Sequence, residues 1–165
     1  MFKLLLNLCT PDKGNIYING KKVEEYDNDY LREKIAYVGQ QGFMLSGSLR
    51  DILDPKGISN DEELEALMED FLIDKNKLGT GLNTYIDENH KNISGGEFQK
   101  LALIRAFVEP KDIYLLDEPT SAVDPESERS ICEKIKEKLA GKAALIITHR
   151  PEILKICDEV ILIGE

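Results

Sequence analysis

Three apolar runs in this sequence end in residues able to do chemistry. "KIAYVGQ" reaches Gln40, "DIYLLDE" delivers Asp117 and Glu118, and "AALIITH" ends at Thr148 and His149. Short runs rich in Ile, Leu, Val and Tyr read as buried strands of a parallel sheet. In such sheets ligands gather at the carboxyl ends of the strands. An Asp there can hold Mg²⁺, directly or through water, and a neighbouring Glu can polarise an attacking water. Gln can bridge metal and water, and His can hydrogen-bond a terminal phosphate. Each residue alone reads as an ordinary cap or loop residue. Together they suit metal-assisted phosphoryl transfer.

"NISGGEFQK" (92–100) adds a second signal. Ser94 begins a helix, and Gly95 and Gly96 let a ligand approach the backbone closely. The helix N-terminus offers free N–H groups and the positive end of a dipole, which suits an anion. A plainer explanation also serves: Ser94 and Glu97 form an S-x-x-E capping box.

The elements that must carry these residues alternate between strand and helix. Phe2, Leu5, Leu6 and Cys9 recur at helical spacing, and "TPDKG" stops that helix. "NIYING" reads as a strand entering an Asn-Gly hairpin. "DYLRE" reads as a helical turn, residues 34–38 as a buried strand, and residues 39–50 as a Gly/Ser-rich loop. Ser59 and Glu62 form a capping-box pair ahead of a helix with Leu64, Leu67, Met68, Phe71 and Leu72 on one face. Its acidic residues Glu63, Glu65, Glu69 and Asp70 read as a solvated face. Residues 75–92 read as polar loop, and the next helix starts at Ser94. Then come a strand over 112–117, a helix capped by Asp124 with Pro125 at its first position, and a strand over 143–148. "PEILKIC" is a short helix, and "EVILIG" (159–164) is expected to be the last parallel strand.

Composition bounds the rest. The 165 residues suffice for one domain with a core, and the formal net charge is −10. That charge disfavours a broad nucleic-acid surface. No apolar run approaches the ~20 residues of a membrane span, and "FKLLLNLCT" is too short and wrongly flanked for a secretion signal. Cys9, Cys132 and Cys157 form no CxxC pair; they argue for a reducing compartment, against a zinc site, and for buried apolar roles.

"ISGGE" with "LALIRAF", then "LLDEPTSAVD", then "ITHR" closely resembles the ATP-binding-cassette (ABC) nucleotide-binding domain, in the family's order and approximate spacing over nearly the whole chain. The resemblance implies an α/β fold: a parallel-sheet P-loop NTPase core (1–40 and 105–165) plus an α-helical signature subdomain with the Q-loop (about 41–104). It implies ATP and Mg²⁺ as cofactors. Ser94, Gly95 and Gly96 look like the signature motif, which reaches the nucleotide of a partner subunit, with Glu97 in place of the commoner Gln. Asp117 looks like the Walker B metal carboxylate, Glu118 like the general base, and Ser121 to Asp124 like the D-loop. His149 looks like the switch histidine and Gln40 like the Q-loop glutamine near the metal, with Gln41 as an alternative. "GFMLSGSLRDIL" resembles the exporter-type Q-loop region, where Phe43 and Met44 either help seat a transmembrane partner or pack in the core. The implied partners are a second nucleotide-binding domain, head to tail, and the transmembrane domain of a transporter, with no nucleic acid. The implied place is cytoplasmic, at the inner face of the membrane.

One family element has no counterpart. The string G-x-x-x-x-G-K-[ST], whose backbone N–H groups and Lys hold phosphates, does not occur in these residues. "FKLLLNLCTPDKGNIYING" resembles the family's stretch just after that loop, and Lys3 is not its lysine, since no glycine loop precedes it. The resemblance therefore implies absent N-terminal strands and loop, an exposed gap in the sheet, and a chain incapable of turnover alone. Two other readings stay open: a non-catalytic cassette that lends its signature motif to a partner, and an ABC-type ATPase of DNA repair or chromosome maintenance. Against the second stand the acidic charge and the lack of long heptads.

Overall fold

The computed structural model describes residues 1–40, 46–74, 79–87 and 93–163. In chain order the elements are α1 (Phe2–Leu5), β1 (Tyr17–Ile18), β2 (Lys21–Lys22), α2 (Asn28–Lys34), β3 (Ile35–Val38), β4 (Gly47–Ser48), α3 (Leu49–Leu53) and α4 (Asp61–Asp70). After these come β5 (Tyr85–Ile86), α5 (Gly95–Val108), β6 (Ile113–Asp117), α6 (Pro125–Lys138), β7 (Ala143–Ile147) and α7 (Pro151–Leu154). Single 3₁₀ turns lie at Val23–Glu25 and Gly81–Asn83.

The sheet that matters has the order β3-β6-β7, all parallel, with Val38 opposite Leu116 and Asp117 opposite Ile147. Period-2 alternation explains its packing. Ala36, Val38, Tyr114 and Leu116 point into a core built with α3, α4, α5 and α6. Ile35 and Leu115 point the other way, onto Phe2, Val23 and Leu31. The continuous apolar run "IYLL" is thus a strand covered on both faces, as its composition requires. The helices of residues 49–71 share the first core with the sheet rather than owning a separate one, because α5 packs against both α3 and α4.

The hairpin, the strand over 35–38 and the Ser94 helix lie where the sequence puts them. At the hairpin, Asn19 and Gly20 have φ of 51° and 77°, the left-handed pair that an Asn-Gly turn of this twist demands. The structure departs from five expectations. Residues 39–50 are not all loop: Ser48 accepts from the Asp51 N–H and starts α3. The cap of α4 is Asn60 with Glu63, not Ser59 with Glu62. Both pairs fit the spacing; Asn60 wins because the Ser59 N–H is already given to Asp54. The polar stretch 75–92 contains β5, which pairs with β4. Cys9 is exposed, while Cys132 is buried and Cys157 half-buried. Finally, residues 159–163 form no strand, and Val160, Ile161, Leu162 and Ile163 are 48%, 73%, 91% and 80% exposed. A strand exists only as half of a hydrogen-bonded pair. Among the described residues nothing lies in register beside this segment, and β7 is paired on one side alone.

Asp54 is a buried carboxylate that the sequence gives no reason to single out. Burial alone would raise its pKa. Backbone N–H groups of Ser59, Ile58 and Gly57, together with Arg50, outweigh that and hold it below its ordinary value of 3.8. A carboxylate with a depressed folded-state pKa stabilises above its unfolded value and loses that contribution as pH falls through the folded one. Asp54→Asn is therefore expected to be less stable than the parent at pH 7, with the two urea-unfolding curves converging below about pH 3.8. A constant gap between pH 7 and 3 would show that Asp54 is not the titrating group.

Candidate nucleotide site

Because β3, β6 and β7 are neighbours, Gly39–Gln40, Asp117–Glu118 and Thr148–His149 emerge side by side at one end of the sheet. Gln40 is exposed, and Gly39, Gln40 and Asp117 line one groove of about 970 Å³ that also holds Lys3, Arg32 and Arg105. On a chain of net charge −10, these cations make the groove a local exception suited to an anion.

Glu118 turns the chain out of β6 with φ of 52°, a left-handed conformation that costs a non-glycine residue about 1 kcal/mol. Its N–H donates to the Ile147 carbonyl (2.8 Å), continuing the ladder through the bend. The side chain is mostly buried, and its two oxygens are differently engaged. Oε1 lies 2.7 Å from His149 Nδ1, whereas Oε2 is buried with no hydrogen-bond partner among the described residues. An ionised carboxylate can only accept, so His149 Nδ1 carries the hydrogen in that pair. An orphaned, buried carboxylate oxygen is costly unless something outside the chain uses it.

Arg150 fixes the next turn. Its Nη1 donates to Glu128 (3.0 Å), itself 5% exposed, and its Nη2 to the Ser121 carbonyl (2.6 Å). The other Glu128 oxygen accepts from the Thr120 hydroxyl (2.9 Å). Asp124 caps α6 by accepting from the Ser127 N–H at 2.9 Å, and that bond keeps its carboxyl below the usual range.

Ser94 is exposed at the start of α5, and the capping box is fully formed. Its Oγ accepts from the Glu97 N–H (3.2 Å), while its own N–H and hydroxyl donate to Glu97 Oε2. Gly95 is open. Gly96 has an internal reason to lack a side chain, since a Cβ there would stand 2.7 Å from the Ala122 carbonyl oxygen. Gln99, one turn on and 7% exposed, bonds the Glu118 carbonyl (2.7 Å), the Ser121 hydroxyl (3.1 Å) and the Ala122 N–H (2.7 Å). Sequence reasoning missed Gln99, Glu128 and Arg150. The signal for Gln99 was present: a polar residue inside the apolar run "FQKLALI" must find partners when buried. Gln41, Phe43 and Met44 lie outside the described residues.

The ABC transporter family profile matches residues 1–121. The chain belongs to the ABC transporter family. Relatives of this cassette include an ATP-dependent lipid A-core flippase of Vibrio parahaemolyticus, 32% identical over 93% of the cassette and 27% of the relative. Another is a glutathione/L-cysteine transport system ATP-binding/permease protein of Haemophilus influenzae, 37% identical over 91% of the cassette and 26% of the relative. The cassette thus spans about a quarter of each of these proteins. A solved bacterial Atm1-family ABC exporter with ATP bound superposes with a TM-score of 0.84 at 25% identity, covering 94% of the cassette and 27% of that chain. The parallel-sheet ABC ATPase fold expected from the motifs is therefore the fold adopted. The family binds ATP, generally with Mg²⁺. Among the described residues no helix is long and apolar enough to cross a membrane.

Oxygen donors are what Mg²⁺ takes, and Asp117 and Gln40 supply them at the mouth of a cationic groove. Among the described residues no cluster of three or more His, Cys, Asp or Glu side chains could hold a metal by itself.

Proposed function

We propose that this cassette binds ATP at the β3-β6-β7 strand ends and, within a larger exporter, couples ATP binding and hydrolysis to transport. The observation that carries the reading is the divided Glu118 carboxylate, one oxygen held by His149 and the other buried with no partner among the described residues. That is the arrangement of a base kept in place while one oxygen waits for a water. Asp117 and Gln40 would hold Mg²⁺, which neutralises phosphate charge when bound. His149 orients Glu118 through its Nδ1–H and, as the imidazolium with a hydrogen on Nε2 as well, would donate to a terminal phosphate. Ser94, Gly95 and Gly96 face a nucleotide held by a second cassette, head to tail, with Asp124 in the turn between the two. The Q-loop region meets a transmembrane partner, which places the cassette at the cytoplasmic face of the membrane.

A second reading is favoured by one specific observation. Ser94 is exposed at the start of α5, where the helix end would meet a nucleotide held by a partner. In that reading the chain lends its signature motif and does not turn over ATP itself. A polypeptide limited to these 165 residues carries no G-x-x-x-x-G-K-[ST] string and so forgoes several charge-assisted hydrogen bonds at roughly 1.5–3 kcal/mol each. The chain alone is therefore expected to show no Mg²⁺-dependent ATP binding by calorimetry in the micromolar range, and turnover is expected only on mixing with an intact exporter-type cassette. Tight binding by the chain alone would remove the lending reading. Absence of turnover in every mixture would remove the ATPase reading.

A further inference from the structure

We infer that Gln99 is a positioning residue that locks the helix presenting Ser94 to the turn carrying Glu118, Ser121 and Ala122. The inference rests on the ATP-site reading for its consequence and on geometry for its substance. Gln99 spends its whole amide on one turn: Nε2 donates to the Glu118 carbonyl and the Ser121 hydroxyl, and Oε1 accepts from the Ala122 N–H. No other side chain of this shape can do this. Glu lacks the donor, Lys lacks the acceptor, and Met lacks both. The site is 7% exposed, so water does not substitute readily.

What Gln99 holds is a backbone that would otherwise relax. Glu118 sits at φ 52°. Its N–H donates to the Ile147 carbonyl, and its C=O accepts both from the Ser121 N–H within the turn (3.2 Å) and, at 2.7 Å, from Gln99, which adds the tie to the helix. Beside this, Gly96 brings the backbone of α5 against the Ala122 carbonyl oxygen, so helix and turn touch directly. Arg150 grips the same turn from the far side through the Ser121 carbonyl. Ser94 and Glu118 face different nucleotides in the proposed assembly, yet they are joined by one buried amide. A shift of the Ser94 helix therefore moves the backbone of Glu118.

The test compares Gln99→Met and Gln99→Glu with the unaltered chain. By amide exchange on the chain alone, Gln99→Met is expected to speed exchange at Ala122 by roughly tenfold or more. Leu115 and Leu116, inside β6, keep their rates. In the mixture with an intact cassette, kcat falls roughly tenfold while the KM for ATP stays within about twofold. Gln99→Glu keeps an acceptor for the Ala122 N–H but has no donor for the Glu118 carbonyl, so at neutral pH its protection at Ala122 is expected to lie between the unaltered chain and Gln99→Met. The protection factor of Gln99→Glu at Ala122, taken against the intrinsic exchange rate at each pH, recovers to that of the unaltered chain as pH is lowered through carboxylate protonation, because a carboxylic acid regains an O–H donor for the Glu118 carbonyl. Unchanged exchange at Ala122 would overturn the inference. So would equal acceleration at Leu115 and Leu116, which marks general loosening, or a Gln99→Glu chain with no recovery in acid. If the unaltered chain supports no turnover in any mixture, the ATP reading falls, and the exchange comparison still decides the clamp.

Discussion

Ser94→Arg abolishes ATP turnover by a mixture of this chain with an intact exporter-type cassette, whereas Glu118→Gln leaves it nearly unchanged. This is the expected result if the mixture builds one working composite site. The intact partner provides the phosphate loop and the acidic pair, and this chain provides Ser94, Gly95 and the helix end behind them. Ser94 is exposed at that end, so a long arginine side chain occupies the volume a γ-phosphate requires. Catalysis in phosphoryl transfer is positioning plus electrostatics, so a donor matters only where a phosphate is held. The Glu118 of this chain would serve a second site that has no phosphate-loop string of its own. Steady-state ATPase of the two mixtures checks this. Equal loss from both variants would mean that this chain holds nucleotide by itself.

The second large effect concerns stability. Glu128→Ala is expected to cost about 3 kcal/mol, the lower end of what breaking a buried ion pair costs. For a chain of this length that lowers the melting midpoint by roughly 10 °C. Glu128 is 5% exposed and receives Arg150 on one oxygen and Thr120, wholly buried, on the other. Removing it strands a guanidinium that is only 24% exposed and a buried hydroxyl together. Glu128→Gln keeps an acceptor for Thr120 and is expected to recover part of the loss. Calorimetric melting of both variants checks the ordering. A drop below about 3 °C for Glu128→Ala would mean that water already screens the pair.

The chemistry-bearing residues were legible because strand ends have a strong local signature. "IYLLDE" is apolar until the acids appear, and the same holds for Gln40 and His149. A parallel sheet was inferred from the alternation of strand and helix, and the parallel order β3-β6-β7 bears that out. Ser94 and Asp124 announce their helices through side chains that cap within four residues, which is why both starts were placed correctly. What sequence could not yield is contact at a distance. Gln99 meets Ala122 across 23 positions, and Arg150 meets Glu128 across 22. Spacing carries no information about such pairs. The failed strand over 159–164 is the opposite case. Its composition suits a strand, but composition cannot supply the neighbour that makes one.

Val160–Ile163 also governs how the chain behaves as a solute. Four consecutive branched apolar residues without proline have the makeup that seeds intermolecular cross-β stacking. Asp158 and Glu159 stand immediately before them as gatekeeper charges, and a net charge of −10 keeps copies apart in bulk. The bulk repulsion falls away as the solution approaches the isoelectric point near pH 4.8. Turbidity is therefore expected to rise as the solution is brought toward that pH, a result light scattering would check.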